Sequence, residues 1–150
     1  MKATGGCQCE GIRYMLDGEP LLTYACHCRD CQRRTGSAFS EGILIYAEHI
    51  AIEGELRAWQ RVSDAGIEKV RHSCASCGNI IHGTAQNMPG LMLLQAGTLD
   101  DTSSVHPEVH LWLRSAQPWV LLPPGIPSWN TQPDDLTELL QAALQYRQNR

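Results

Sequence analysis

The cysteines of this chain fall into three close groups, and this grouping limits the possible folds more than any other feature of the sequence. The seven thiols lie at Cys7-x-Cys9, Cys26-x-Cys28-x-x-Cys31 and Cys74-x-x-Cys77, and none is isolated. A secreted disulfide framework does not require such clusters or an odd number of thiols. Thiolates two or three residues apart are suited to binding one soft metal ion, and zinc is the commonest such ion. We therefore predict zinc sites.

The seven thiols divide naturally into a group of four and a group of three. In the preferred division, Cys7 and Cys9 join Cys74 and Cys77 in a closed four-thiolate site. The contiguous triplet of Cys26, Cys28 and Cys31 then holds a second ion with an open fourth position, which distinguishes catalytic zinc from structural zinc. The alternative pairs Cys28-x-x-Cys31 with Cys74-x-x-Cys77 as a zinc ribbon, and spacing alone leaves both divisions open.

Composition describes one ordinary globular domain over residues 1–150. The chain has 43% apolar and 19% charged residues and a net charge of −4. It contains no apolar run of about 18 residues that could cross a bilayer. Its basic residues are few and scattered, which argues against a nucleic-acid partner. The first twenty residues lack the apolar stretch of a signal peptide, so we expect a cytoplasmic protein.

The apolar pattern predicts a mainly β fold. Short β-leaning or apolar runs occur around residues 21–25, 39–46, 91–96 and 110–113, and a loop is predicted at residues 62–66. Residues 5–16 resemble a turn followed by a strand in which Cys7 and Cys9 share one face. Gly78, directly after the second cysteine of its pair, suits a tight turn with positive φ. These elements predict β-sheets that hold the metal sites.

The C-terminal segment differs, because it predicts a helix over about residues 133–148. Thr131 can cap it, Pro133 suits its first turn, and an apolar stripe recurs at helical spacing through Leu136, Leu139, Leu140, Ala143 and Leu144. We expect this helix to cover the sheet, with a contact in an oligomer as the alternative.

Polar residues next to the triplet are candidates for substrate binding and catalysis. Arg29, Arg33 and Arg34 could offset the excess negative charge of three thiolates or bind an anionic substrate. The Gly36-Ser37 turn could offer backbone N–H groups to a carboxylate. We take Cys28 and Arg34 as candidate catalytic residues, and Arg33, Arg34 and Ser37 as candidate substrate-binding residues. His27 is a candidate proton donor, whereas His82, His106 and His110 are expected to be ordinary surface or core residues.

Several motifs, in this order, resemble the family of glutathione-dependent formaldehyde-activating enzymes. They are Gly6-Cys7-Gln8-Cys9, Cys26-His27-Cys28-Arg29-Asp30-Cys31, Gly36-Ser37-Ala38-Phe39-Ser40, Cys74-Ala75-Ser76-Cys77-Gly78, Ala96-Gly97-Thr98-Leu99-Asp100-Asp101 and His110-Leu111-Trp112. The resemblance implies Mss4-like β-sheets with two zinc ions per chain. It implies structural zinc on Cys7, Cys9, Cys74 and Cys77, and catalytic zinc on Cys26, Cys28 and Cys31.

The resemblance also implies a reaction, in which a thiol such as glutathione adds to a small aldehyde such as formaldehyde. The reverse reaction breaks a carbon–sulfur bond, which makes the class a lyase. Two other functions remain open from the sequence: a zinc-stabilised binding module without catalysis, and a thiol redox enzyme that uses a cysteine of the triplet.

Overall fold

A computed structural model describes residues 1–63 and 66–149 of the chain. The loop predicted at residues 62–66 therefore lies partly outside the described residues. The chain divides into two compact units: residues 1–21 with 43–104, and residues 22–42 with 105 onward. The first unit contains the predicted group of four cysteines, and the second unit contains the predicted group of three.

The first unit is built from antiparallel strands. β1 (Lys2–Gly6), β2 (Arg13–Asp17) and β5 (Ile50–Glu53) form a three-stranded sheet in the order β1-β2-β5. β2 shows the alternation expected of a sheet with one buried face, since Tyr14 and Leu16 are buried and their neighbours are exposed. Four further strands of this unit are hydrogen-bonded side by side, in the order β9 (Leu91–Gln95), β8 (Ile80–Ala85), β7 (Glu68–Cys74) and β6 (Leu56–Val62).

The second unit combines two strands with two helices. β3 (Leu22–Cys26) pairs in parallel with β10 (Val109–Leu111), and Cys26 lies opposite Leu111. A helix α1 (Arg29–Thr35) follows β3 directly, and α2 (Leu136–Gln148) lies against β3 and β10. β4 (Ser40–Tyr46) starts in this unit and ends in the first. The prediction of a mainly β fold with a C-terminal helix is confirmed.

Two local predictions were wrong. Cys7 and Cys9 do not lie on a strand, because β1 ends at Gly6 and the chain turns through Glu10, whose φ is 62°. The turn is closed by the N–H of Glu10, which donates to the Cys7 carbonyl, and the N–H of Cys7, which donates to the Ile12 carbonyl. The C-terminal helix begins at Leu136, since Asp135 accepts a hydrogen bond from the Thr137 N–H and is the actual N-cap.

Candidate metal centres

The first centre lies in the first unit, where Cys7, Cys9, Cys74 and Cys77 come together. Their four Sγ atoms all lie within 4.8 Å of one another. The Cys7 and Cys9 sulfurs are 3.5 Å apart, and the Cys9 and Cys74 sulfurs are 3.7 Å apart. Four thiolates around a tetrahedral zinc, with Zn–S bonds of about 2.3 Å, would be separated by about 3.8 Å. These four thiols therefore fit a zinc ion.

Two tight turns place these thiols. Cys7 and Cys9 occupy the β1–β2 connection, while Cys74 ends β7 and Cys77 lies in the turn that follows. Gly78 has a φ of 74°, as the sequence predicts, and its N–H donates to the Cys74 carbonyl. The division that joins Cys74 and Cys77 to Cys7 and Cys9 agrees with this geometry, and the zinc ribbon alternative does not.

Backbone N–H groups lower the pKa of Cys74 and Cys77, whereas at Cys9 the Gly11 amide is outweighed by the neighbouring thiols and by burial, which raise its pKa to about 12. The N–H of Ile12 donates to the Cys7 sulfur at 3.2 Å. The backbone N–H of Cys77 lowers the pKa of Cys74, and that of Asn79 lowers the pKa of Cys77. A metal ligand must be deprotonated, so these amides favour the binding state of the centre.

The second centre lies in the second unit and consists of Cys26, Cys28 and Cys31. Their Sγ atoms also lie within 4.8 Å of one another. Cys26 ends β3, and Cys28 is the N-cap of α1, with its sulfur accepting from the Cys31 N–H at 3.4 Å. Because α1 starts directly after Cys28, its first turn carries Cys31 back beside the other two thiols. Three sulfurs in this arrangement fit a metal ion and supply three of its four tetrahedral ligands.

Within the second centre, the pKa of Cys31 is lowered and that of Cys26 is raised. Contacts with the Cys26 and Cys28 thiols, together with the charge of Arg34, lower the pKa of Cys31 to about 2. Contacts with Cys28 and Cys31 raise the pKa of Cys26. The Arg34 Nη2 lies 3.7 Å from the Cys31 sulfur and donates to the Ser40 Oγ at 2.7 Å. Arg34 thus contacts the thiol group directly.

The remaining candidates are exposed residues of α1 and of the turn that follows it. Arg29 and Arg33 are exposed, and the Arg29 guanidinium donates to the Gln32 side chain. Ser37 is exposed, with its N–H donating to the Thr35 hydroxyl at 3.3 Å. Arg33 therefore has the exposure that an anion-binding residue requires, whereas the Ser37 amide already has a partner.

His27 does not lie among the exposed groups next to the triplet. Its ring is fully buried, and its Nε2 is 2.9 Å from the Nδ1 of His110. Burial lowers the pKa of His27 and lowers that of His110 to about 4, so both rings are neutral near pH 7. A ring buried in this way has no access to solvent. His82 is also buried and His106 is exposed, as expected.

Sequence reasoning missed two buried polar residues at this centre. Gln32 is 7% exposed and donates from Nε2 to the carbonyls of His27, at 2.7 Å, and Ser115, at 2.8 Å. Ser40 is 1% exposed and accepts the hydrogen bond from Arg34. The spacing of the sequence predicts neither role. Gln32 binds Ser115, which is distant in the chain, and Ser40 meets Arg34 only because the chain reverses after α1.

Comparison with known proteins identifies related sequences and structures. A family model described as glutathione-dependent formaldehyde-activating enzyme matches residues 2–115. A crystal structure of a Rhodobacter sphaeroides protein aligns with a TM-score of 0.51 at 18% identity, covering 69% of this chain and 91% of that one. At that identity the alignment shows similarity of fold alone. No curated protein matches. Among the described residues, no helix is long and apolar enough to cross a membrane.

Proposed function

We propose, from the premise that this chain belongs to the family of glutathione-dependent formaldehyde-activating enzymes, that it is a zinc-dependent carbon–sulfur lyase. In the direction of synthesis, it would add the thiol of glutathione or a similar compound to formaldehyde or another small aldehyde. The new carbon–sulfur bond forms as the C=O π bond breaks, and the carbonyl oxygen takes up a proton equivalent to the one lost by the thiol. Atoms and electrons balance without an oxidant or reductant.

The observation that carries the proposal is the second centre, where three thiols converge and no fourth cysteine joins them among the described residues. A zinc ion bound by Cys26, Cys28 and Cys31 would lower the pKa of an incoming thiol and hold its sulfur for attack on the carbonyl carbon. Cys28, which caps α1 and is half-buried, would be the ligand nearest the solvent-exposed helix start.

The charged residues of α1 have separate tasks in this proposal. Arg34, which contacts the Cys31 sulfur, offsets part of the negative charge of the three thiolates. Arg33 is exposed on the same segment and would bind a carboxylate of the thiol substrate, with the hydroxyl of the exposed Ser37 as a second donor, since the Ser37 amide already donates to Thr35. Glutathione carries two carboxylates, so a cationic side chain near the thiol position would contribute to its binding.

We assign Cys7, Cys9, Cys74 and Cys77 to a structural zinc, since all four tetrahedral positions would be filled. Structural zinc of this kind stabilises folded domains by about 10 kcal/mol or more. With seven unpaired cysteines, the chain suits a reducing compartment, and we propose that it acts in the cytoplasm.

The test measures exchange between free glutathione and its formaldehyde adduct by NMR with 13C-labelled formaldehyde. We expect the zinc-loaded protein, with two zinc ions per chain, to accelerate exchange above the spontaneous rate. S-methylglutathione, which has no thiol, is the substrate control. Cys31→Ser should abolish the acceleration while the protein stays folded, whereas Cys77→Ser should reduce folding and metal content together.

Other outcomes would favour the alternative functions. One zinc per chain with a reactive, unligated thiol in the triplet would indicate a thiol redox enzyme. Two zinc ions with exchange at the spontaneous rate would contradict the lyase and favour a binding module.

A further inference from the structure

Ser40 is a buried residue that accepts a hydrogen bond from Arg34, the cationic residue that contacts the Cys31 sulfur. We propose that Ser40 is a positioning residue, which holds the Arg34 guanidinium against the Cys31 sulfur and thereby sets how strongly that sulfur donates to a bound metal. The inference deepens the proposed function, because it names what tunes the metal on which the thiol would react. It concerns the contact between Arg34 and Cys31, which exists whatever the substrate is.

The helical spacing and the chain reversal after α1 bring the three residues together. Arg34 is three residues after Cys31 on α1, so both side chains lie on the same face of the helix. Gly36 ends the helix with a φ of 65°, and the chain returns to begin β4 at Ser40. The Thr35 hydroxyl, 3.3 Å from the Phe39 carbonyl, lies within the same reversal. Ser40 thus faces the last turn of α1.

The Arg34 side chain makes a hydrogen bond to Ser40 that is shorter than its contact with Cys31. Arg34 Nη2 donates to the Ser40 Oγ at 2.7 Å, a distance typical of a strong bond, whereas its contact with the Cys31 sulfur is longer, at 3.7 Å. Ser40 is 1% exposed, so its hydroxyl is held by packing. Because the same Nη2 makes both contacts, the short bond to Ser40 places that nitrogen next to the sulfur.

Such a contact changes the chemistry of a ligating thiolate. An N–H group or a positive charge at the sulfur withdraws electron density and makes the thiolate a weaker donor, which leaves the metal a stronger Lewis acid. Groups that hold metal ligands in this way typically change metal affinity or activity by about 10- to 100-fold when removed. The geometry therefore gives Arg34 the task of tuning Cys31 and leaves the exposed Arg33 to meet a substrate carboxylate.

The test is a double-mutant cycle on protein loaded with Co²⁺, without any thiol substrate. We compare the sulfur-to-cobalt charge-transfer band in wild type, Ser40→Ala, Arg34→Met and the double variant. Each single change should move the band to lower energy, because a thiolate without the N–H contact donates more strongly. The double variant should move it no further, since Ser40 acts through Arg34. Catalysed adduct exchange should fall about 10-fold in each single variant and no further in the double.

Two additional variants separate this role from general stability. Ser115→Ala removes a hydroxyl in the same unit while keeping the backbone carbonyl that Gln32 uses, and it should leave the band unchanged. Arg34→Lys keeps the charge but lacks the planar guanidinium, whose single Nη2 contacts both the Cys31 sulfur and the Ser40 hydroxyl, so it should give a shift of the same sign even if Ser40→Ala does not fold.

An unshifted band in Ser40→Ala and in Arg34→Lys, or fully additive shifts in the double variant, would overturn the inference. The comparison without thiol is independent of turnover. A wild-type protein that fails to catalyse exchange would therefore contradict the proposed function, while the cobalt bands would still decide the role of Ser40.

Discussion

At the scale of single residues, hydrogen-bond partners and burial set the chemistry of a side chain: His27 is paired with His110, and Ser40 accepts from Arg34. The thiols of both centres could be predicted, because cysteine spacing directly reflects what one ion can bind. The environments of His27 and Ser40 could not, since they depend on His110 and on the return of the chain after α1. A residue type and its neighbours in sequence do not determine whether its side chain faces a metal or a packed interior.

Tyr14 provides a residue-scale prediction about pH. The Thr98 hydroxyl donates to the Gln95 carbonyl at 2.7 Å, so the Tyr14 hydroxyl, 2.8 Å away, is the donor to Thr98. Burial raises the pKa of Tyr14 to about 12 from an ordinary value of 10.0. The neutral form is therefore favoured in the folded state, and its contribution is complete below pH 10 and is lost as pH rises towards 12.

We expect the free energy of unfolding, measured with urea at a series of pH values, to fall above pH 10 by an amount on the order of 2 kcal/mol. Tyr14→Phe should lower it by about 1 kcal/mol at pH 7, because one hydrogen bond is lost, and should flatten the alkaline decline. An equally steep decline in Tyr14→Phe would show that another group is responsible.

At the scale of elements, the sequence predicted the strands better than it predicted α1. β3, β4, β9 and α2 lie where apolar patterning placed them, within a few residues. α1 has no apolar stripe, since Gln32 is its only buried residue, and its charged sequence resembles a loop. Its helical form depends on the capping thiol of Cys28 and on the left-handed Gly36 at its end, and although the sequence marks a Gly36-Ser37 turn, it does not show that a cysteine caps the helix.

Gly36 gives a prediction at this scale. Its φ is 65°, and a Cβ added there would meet no atom within 4 Å, so Gly36→Ala would incur only the backbone cost of the left-handed conformation. We expect a loss of about 1 kcal/mol in the free energy of unfolding. Gly97→Ala is the matched control, because a Cβ there is equally unobstructed and no positive φ is required. Equal effects of the two substitutions in thermal or urea unfolding would contradict this account of the α1 C-terminus.

At the scale of the whole molecule, the chain contains two cysteine clusters of different character, and each could hold a metal ion. The four-thiol centre lies in the first unit and would be closed, whereas the three-thiol centre lies in the second unit and leaves one ligand position to be filled. Counting cysteines could predict this division, but the sequence alone could not exclude the ribbon pairing. The structure favours the four-plus-three division over the ribbon pairing, because residues 7–9 and 74–77 meet at the ends of strands in the same unit.

The most direct test of the central claim is a titration of the Co²⁺-loaded protein with glutathione, followed by visible absorption. The account predicts a new sulfur-to-cobalt charge-transfer intensity and a change in the ligand-field bands that saturates with glutathione. The same titration of Cys31→Ser, and of wild type with S-methylglutathione, should lack this response. Wild-type bands that stay unchanged at saturating glutathione would contradict the claim that the three thiols hold a metal open to an external thiol.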